Sequence, residues 1–232
     1  MWPFKNVISN NKITLDVIPS LCPYCGYDLK TIPQRKKKCP SCTQPFYIKY
    51  TPNNHTKRLM TEKQAKDAED QWNLFNLRQS SISTLSIFGY GDNEIEKEIF
   101  LGAKNDNEAV FHILTRFTIF EKGLSKLKMA FLILVKLAID TGKPFLPFKL
   151  AAQYCELLHY KTTGDVVKNI EIVISNQKNI CIECQNNNGK IYDIDDALKL
   201  MPLPCSKCTC IGYGGQIGFC DCYYIAVLPK YE

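Results

Sequence analysis

Cys22-Pro23-Tyr24-Cys25-Gly26 and Cys39-Pro40-Ser41-Cys42, with thirteen residues between their inner cysteines, form a pair of knuckles. Two cysteines separated by two residues let one tight turn present both sulfurs to a single ion, and a second such turn completes a tetrahedron. Proline after the first cysteine restricts each turn. Gly26 after the second permits a positive φ, and Thr43 stands at that place in the other knuckle. The expectation is a structural zinc held by Cys22, Cys25, Cys39 and Cys42. Four thiolates leave no coordination position open, so this ion is not expected to catalyse a reaction.

Between the knuckles lies the run Gln34-Arg35-Lys36-Lys37-Lys38, followed by Lys49, Lys57 and Arg58 and interleaved with Tyr24, Tyr27, Phe46, Tyr47 and Tyr50. The chain's net charge of +6 is unevenly placed: residues 1–60 hold ten Lys or Arg against Asp16 and Asp28, while the remainder is slightly acidic. Cations on a small rigid unit neutralise phosphates and exposed rings stack on unpaired bases. Arg35, Lys36, Lys37, Lys38 and Lys49 are therefore the candidate nucleic-acid contacts. The bland reading is a solvated hairpin tip, with the aromatics covering a thin core. The stretch resembles the zinc-ribbon family with its rubredoxin-like knuckles, and the resemblance implies a small antiparallel β-unit with the metal at one end. It implies no single function, because ribbons bind nucleic acid, dock proteins or act as structural staples.

Eleven of the twelve cysteines fall at 22–42 and 181–222, and Cys155 stands alone as an expected core residue. The first twenty residues show no apolar run of signal-peptide length, and the longest apolar stretch, Met129–Val135, is too short to span a bilayer. A cytoplasmic protein without membrane contact is expected, and in that compartment paired cysteines point to metal rather than disulfides.

The expected fold class is α+β: a small β zinc ribbon with an N-terminal arm (1–58), a central helical domain (59–163), and a C-terminal β-rich cysteine zinc module (164–232). Ile13, Leu15 and Val17 pattern as a short strand, and Thr51-Pro52-Asn53-Asn54 as a linker. Thr61 with Gln64 gives a capping-box start to a helix ending near Arg78, broken by the Ser-rich stretch Ser80–Ser86. Asp106 is the expected cap of a helix carrying Val110, Ile113, Leu114 and Phe117 on one face. Ser125 opens a helix whose middle, Met129–Val135, is apolar all round and expected to be buried. A last helix covers Lys149–Tyr160 after Pro144 and Pro147, with Gly164 beyond. Val166, Val167, Ile170, Ile172 and Ile174 then pattern as a β-rich segment.

That segment enters a second cluster: Cys181-x2-Cys184, twenty residues, Cys205-x2-Cys208-x-Cys210, nine residues, Cys220-x-Cys222. Seven thiols exceed one tetrahedral site, so either one zinc takes four or a sulfur-bridged pair of metals forms. The single ion is the simpler case, which gives two zinc sites per chain. Cys181 and Cys184 are the first candidates, and Cys205, Cys208, Cys220 and Cys222 supply the others. The completing pair is Cys205 with Cys208, or one of Cys208 and Cys210 with one of Cys220 and Cys222. The order of these cysteines around Asn188-Gly189-Lys190-Ile191-Tyr192 and Leu203-Pro204 resembles the C-terminal cysteine module of phage Mu F-like head morphogenesis proteins. That resemblance implies a phage or mobile-element context rather than a chemistry.

No catalytic residue is assigned. His55, His112 and His159 lack a catalytic setting, and Glu171 and Lys178 do not have nuclease spacing. Asp193, Asp195 and Asp196 invite a nuclease reading, but one of the first two as a helix cap is the plainer account. Gly212-Tyr213-Gly214-Gly215 reads as a turn between ligands, lacking the Lys-Ser/Thr that follows a phosphate-binding loop. The sequence thus favours a non-enzymatic zinc protein that contacts nucleic acid. The alternatives are a protein-interaction adaptor of a phage or mobile element, and a nuclease.

Overall fold

The computed structural model describes residues 20–31, 33–51, 57–163, 166–174 and 180–228. The strand expected at Ile13–Val17, Pro52–Asn54 of the linker, His55, Gly164 and Lys178 lie outside those residues. The architecture is α+β, with two three-stranded antiparallel sheets and seven helices among the described residues, and the chain divides into compact units at Met1–Gln79 and Ser80–Glu232. No described helix is long and apolar enough to cross a membrane.

In the first unit, strands β1 (Lys37–Lys38), β2 (Pro45–Tyr50) and β3 (Lys57–Met60) form a sheet with β2 central. Alternation along β2 decides what each face covers, because successive side chains point to opposite sides. Phe46, fully buried, packs with Cys22 and Cys39 and with Leu29 and Leu59. Tyr47 on the opposite face packs with Met60, Ala65 and Ala68, the last two from helix α1 (Glu62–Ser86). The capping box that opens α1 is as expected: the Thr61 amide donates to Gln64 Oε1 (2.9 Å) and the Gln64 amide to Thr61 Oγ1 (3.3 Å). The expected break at Ser80–Ser86 does not occur, and α1 continues through it. Thr84 and Ser86 hydroxyls donate to the carbonyls of Ser80 and Ser83, a bond that satisfies them without leaving the helix.

The second unit holds α2 (Asp92–Phe100), α3 (Asp106–Phe120), α4 (Leu124–Asp140) and α5 (Leu146–Thr162). The expected face of α3 is buried, but its cap is Asn105, whose side chain accepts from the Glu108 amide (3.0 Å). Asp106 instead lies in the first turn, where its charge complements the helix dipole. The Met129–Val135 run is not buried all round. Ala130, Leu134 and Val135 face the core while Met129 and Leu132 are 41% and 47% exposed. Helix α5 begins at Leu146, three residues earlier than expected, because Pro147 fits the first turn, where no amide donor is needed.

Strand β4 (Asn169–Val173) is the centre of the second sheet, flanked by β5 (Ile191–Asp193) and β6 (Tyr223–Val227). Ile170 and Ile172 are fully buried, and Ile172 pairs in register with Tyr224, whose hydroxyl accepts from the Leu203 amide (3.0 Å). Short helices α6 (Ile182–Asn187) and α7 (Ile194–Leu200) complete the unit. The core under this sheet counts thirteen buried residues, of which six are cysteines, so its stability is tied to what those sulfurs bind.

Glu98 on α2 is buried, with Arg116 of α3 donating to one carboxylate oxygen and His112 Nδ1 3.4 Å from the other. The Arg116 hydrogen bond is the largest influence and holds the Glu98 carboxyl below its ordinary pKa, against the cost of burial. A lowered folded-state pKa contributes stability that is present above the unfolded value and lost as pH falls through the folded one. Glu98→Gln should therefore cost about 1–2 kcal/mol at neutral pH, discounted for the exposure of Arg116. Denaturant titrations of the two proteins should converge as the pH falls from the ordinary carboxylate range through the lowered Glu98 pKa.

Candidate metal centres

At the ribbon, each knuckle closes on backbone bonds: Gly26 N to Cys22 O and Thr43 N to Cys39 O, both 2.9 Å. Gly26 and Thr43 take φ of +73° and +59°, so Thr43 adopts the left-handed conformation its glycine counterpart adopts without strain. The turns bring the Cys22, Cys25, Cys39 and Cys42 sulfurs within 4.8 Å of one another. Cys22 Sγ lies 3.8 Å from Cys42 Sγ, and Cys25 Sγ 3.7 Å from Cys39 Sγ. A zinc tetrahedron with Zn–S of about 2.3 Å has an edge of about 3.8 Å. A disulfide needs its sulfurs at about 2.05 Å. The spacing fits a metal ion and not a cross-link.

Ionisation of these sulfurs is set by burial and by donors around them. Burial opposes it at Cys39, but backbone bonds from Cys42 and Ser41 and the sulfurs of Cys22 and Cys25 outweigh it, bringing the thiol down to about 7. At Cys42 a backbone bond from Gln44 favours the thiolate, yet burial and the other three sulfurs prevail and push it up to about 12. Adjacent thiolates repel, and a divalent cation is what allows all four to ionise together.

The seven cysteines at 181–222 form two four-sulfur groups, each within 4.8 Å: Cys181, Cys184, Cys208 and Cys210, and Cys184, Cys205, Cys220 and Cys222. Cys184 belongs to both. The Cys184 sulfur lies 3.6 Å from Cys208, 3.8 Å from Cys210 and 3.6 Å from Cys220. Neither expected completion of a single site matches this arrangement. Cys205-x2-Cys208 has a knuckle's spacing and a turn, Cys208 N to Cys205 O at 3.1 Å, yet it divides its sulfurs between the groups. Each C-x-C pair instead serves one group. Residues two apart on non-helical backbone point the same way. Cys210, expected only as an alternative to Cys208, joins the first group beside it, and the C-x-C spacing of the two is the signal for that pairing.

Cys181 begins α6, where the Cys181 amide donates to Cys210 Sγ (3.3 Å), and Asn187 Nδ2 reaches Cys205 Sγ (3.5 Å). Burial opposes ionisation of Cys181, but backbone bonds from Cys184 and Thr209 and the sulfurs of Cys210 and Cys184 bring it to about 6. Side-chain bonds from Cys205 and Cys222 lower Cys220, whereas burial raises Cys184 and pushes Cys208 up to about 12. Lys149 of α5, 6% exposed, donates through Nζ to the Cys220 carbonyl and lies 3.8 Å from the Phe219 ring centroid. Burial pulls the Lys149 pKa below its ordinary value, and the neighbouring Cys220, Asp221, Cys208 and Cys222 act against that shift. Cys155, by contrast, is a buried core thiol whose pKa burial raises.

The acidic cluster has structural employment. Asp193 caps α7 by accepting from the Asp195 amide (2.8 Å), Asp195 pairs with Lys161 (2.5 Å), and Asp196 with Lys199 (3.6 Å). Gly212–Gly215 forms a short 3₁₀ turn with Gly214 at φ +66°.

The candidate nucleic-acid residues separate into two sets. Lys36 Nζ donates to the Tyr47 hydroxyl (2.9 Å), which in turn donates to Glu62 (3.1 Å), and Lys49 pairs with Glu69 (3.2 Å). Arg35, Lys37 and Lys38 are exposed, the two lysines on edge strand β1. Tyr24 and Tyr27 of the first knuckle are 41% and 44% exposed.

The chain matches no family model, no curated protein and no solved structure. The ribbon cysteines fit a zinc-binding knuckle arrangement, and no match supports the resemblance of the second cluster to head morphogenesis proteins.

Proposed function

We propose that this is a zinc-binding protein without catalytic activity whose ribbon contacts nucleic acid. The observation that carries the reading is the exposure of Arg35, Lys37 and Lys38 on one short segment, with Tyr24 and Tyr27 also exposed, on a unit whose four cysteines can hold a metal ion. Cations with no partner among the described residues gain most from a phosphate backbone, because no internal ion pair has to be broken first. Lys36 and Lys49 already have acidic or phenolic partners and contribute less. Arg35→Ala/Lys37→Ala/Lys38→Ala should weaken binding of a single-stranded oligonucleotide about 10- to 100-fold at low salt. It should also flatten the log–log salt slope by about 2. Lys49→Ala should change both far less. An unchanged gel-shift affinity in the triple variant contradicts the reading.

A second reading, a protein-interaction adaptor, draws on Phe100, 91% exposed, and Phe120, 79% exposed, at the ends of α2 and α3. Contiguous apolar surface left in water marks docking sites, and Phe100 continues into Leu101, 74% exposed, at the end of α2. Loss of a co-purifying protein in Phe100→Ala/Phe120→Ala, with no retention of the parent chain on heparin, selects this reading over the first.

A further inference from the structure

We propose that the seven cysteines at 181–222 hold two zinc ions in one cluster, with the Cys184 thiolate shared between them. One ion takes Cys181, Cys184, Cys208 and Cys210, and the other Cys184, Cys205, Cys220 and Cys222. This proposal is independent of any contact with nucleic acid.

Three observations carry it. First, the Cys184 sulfur lies 3.6 and 3.8 Å from Cys208 and Cys210 on one side and 3.6 Å from Cys220 on the other, the lengths of tetrahedral edges meeting at a common vertex. Second, the sulfurs of whichever group lacked an ion would be left crowded together in the core, since Cys205, Cys208, Cys210, Cys220 and Cys222 are all less than 10% exposed. Thiols are weak hydrogen-bond partners, and several packed within 4.8 Å without a cation gain little from one another. Third, the surroundings supply donors where a strongly anionic cluster needs them. Two divalent ions and seven thiolates leave a formal charge of about −3. The Cys181 amide and Asn187 Nδ2 reach sulfurs of different groups, and the buried Lys149 side chain donates to the backbone carbonyl of Cys220.

Sharing one sulfur has a consequence that two separate sites lack. Each ion fixes a ligand of the other, so a terminal ligand such as Cys181 affects one ion first, whereas Cys184 affects both. The bridge also ties α6, which carries Cys184, to the segments bearing Cys208–Cys210 and Cys220–Cys222 at one point.

Cadmium replaces zinc in tetrahedral thiolate sites and has a spin-½ isotope, so the full chain loaded with ¹¹³Cd tests the bridge directly. The expected spectrum has three resonances in the thiolate region, two of them split by mutual ¹¹³Cd–¹¹³Cd coupling through the shared sulfur. The third, from the ribbon, is unsplit and disappears alone in Cys22→Ser. Two resonances overturn the proposal in favour of a single ion with spectator thiols. Three uncoupled resonances overturn it in favour of separate sites.

Discussion

Stripping the full chain of metal with a strong chelator should unfold the ribbon and the β5–β4–β6 sheet while leaving the helices α2 to α4 folded. The difference lies in what fills each core. The ribbon's buried cluster is Cys22, Cys39 and Phe46, and the core under the second sheet is nearly half cysteine. The cluster that unites Leu85, Ile95, Val110, Ile113, Leu114 and Leu134 contains no cysteine. A structural zinc contributes about 10 kcal/mol or more to folding, comparable with the whole stability of a typical domain. Amide hydrogen exchange separates the outcomes. The Ile170, Ile172 and Tyr224 amides should lose protection by orders of magnitude, while those of Val110, Ile113 and Leu114 keep most of theirs. Protection at Ile172 that survives chelation would show that the sheet stands on packing alone.

Cys184→Ser should release both ions of the second unit and destabilise it more than any other single cysteine substitution. Serine retains a hydroxyl of similar size, but a neutral hydroxyl is a poor zinc ligand and cannot join two cations. Cys181→Ser removes a terminal ligand and should first weaken one ion. Cys155→Ser serves as the control, since that side chain is equally buried but belongs to neither group. Burying its hydroxyl should cost about 1–3 kcal/mol and release no metal. Native mass spectrometry of the three variants reads the ion count directly, and equal metal retention in Cys184→Ser and Cys155→Ser would rule out the role assigned to Cys184.

Local spacing explains which parts were legible in the sequence. The ribbon ligands could be read because each knuckle is a single turn whose geometry depends on five consecutive residues. Cys205-x2-Cys208 has the same spacing and misleads, because the partners of each sulfur are chosen by chain segments roughly twenty residues away in sequence. Membership of Cys184 in both groups depends on that three-dimensional closure and has no local signature. The basic segment shows the same limit. The sequence presents five cations as one set, yet the register of β1 against β2 and the docking of α1 give Lys36 and Lys49 internal partners in Tyr47 and Glu69. Amphipathic spacing did identify the buried face of α3. It failed for the uniformly apolar centre of α4, where nothing in the pattern says that Met129 and Leu132 face outward.

Elemental analysis of the purified full chain against its protein concentration measures how many metal ions the cysteines hold. The arrangement of four sulfurs in the ribbon and two groups sharing Cys184 predicts three zinc ions per chain. A value of two would contradict it, reducing the second unit to one ion and leaving three of its buried thiols without a ligand's role.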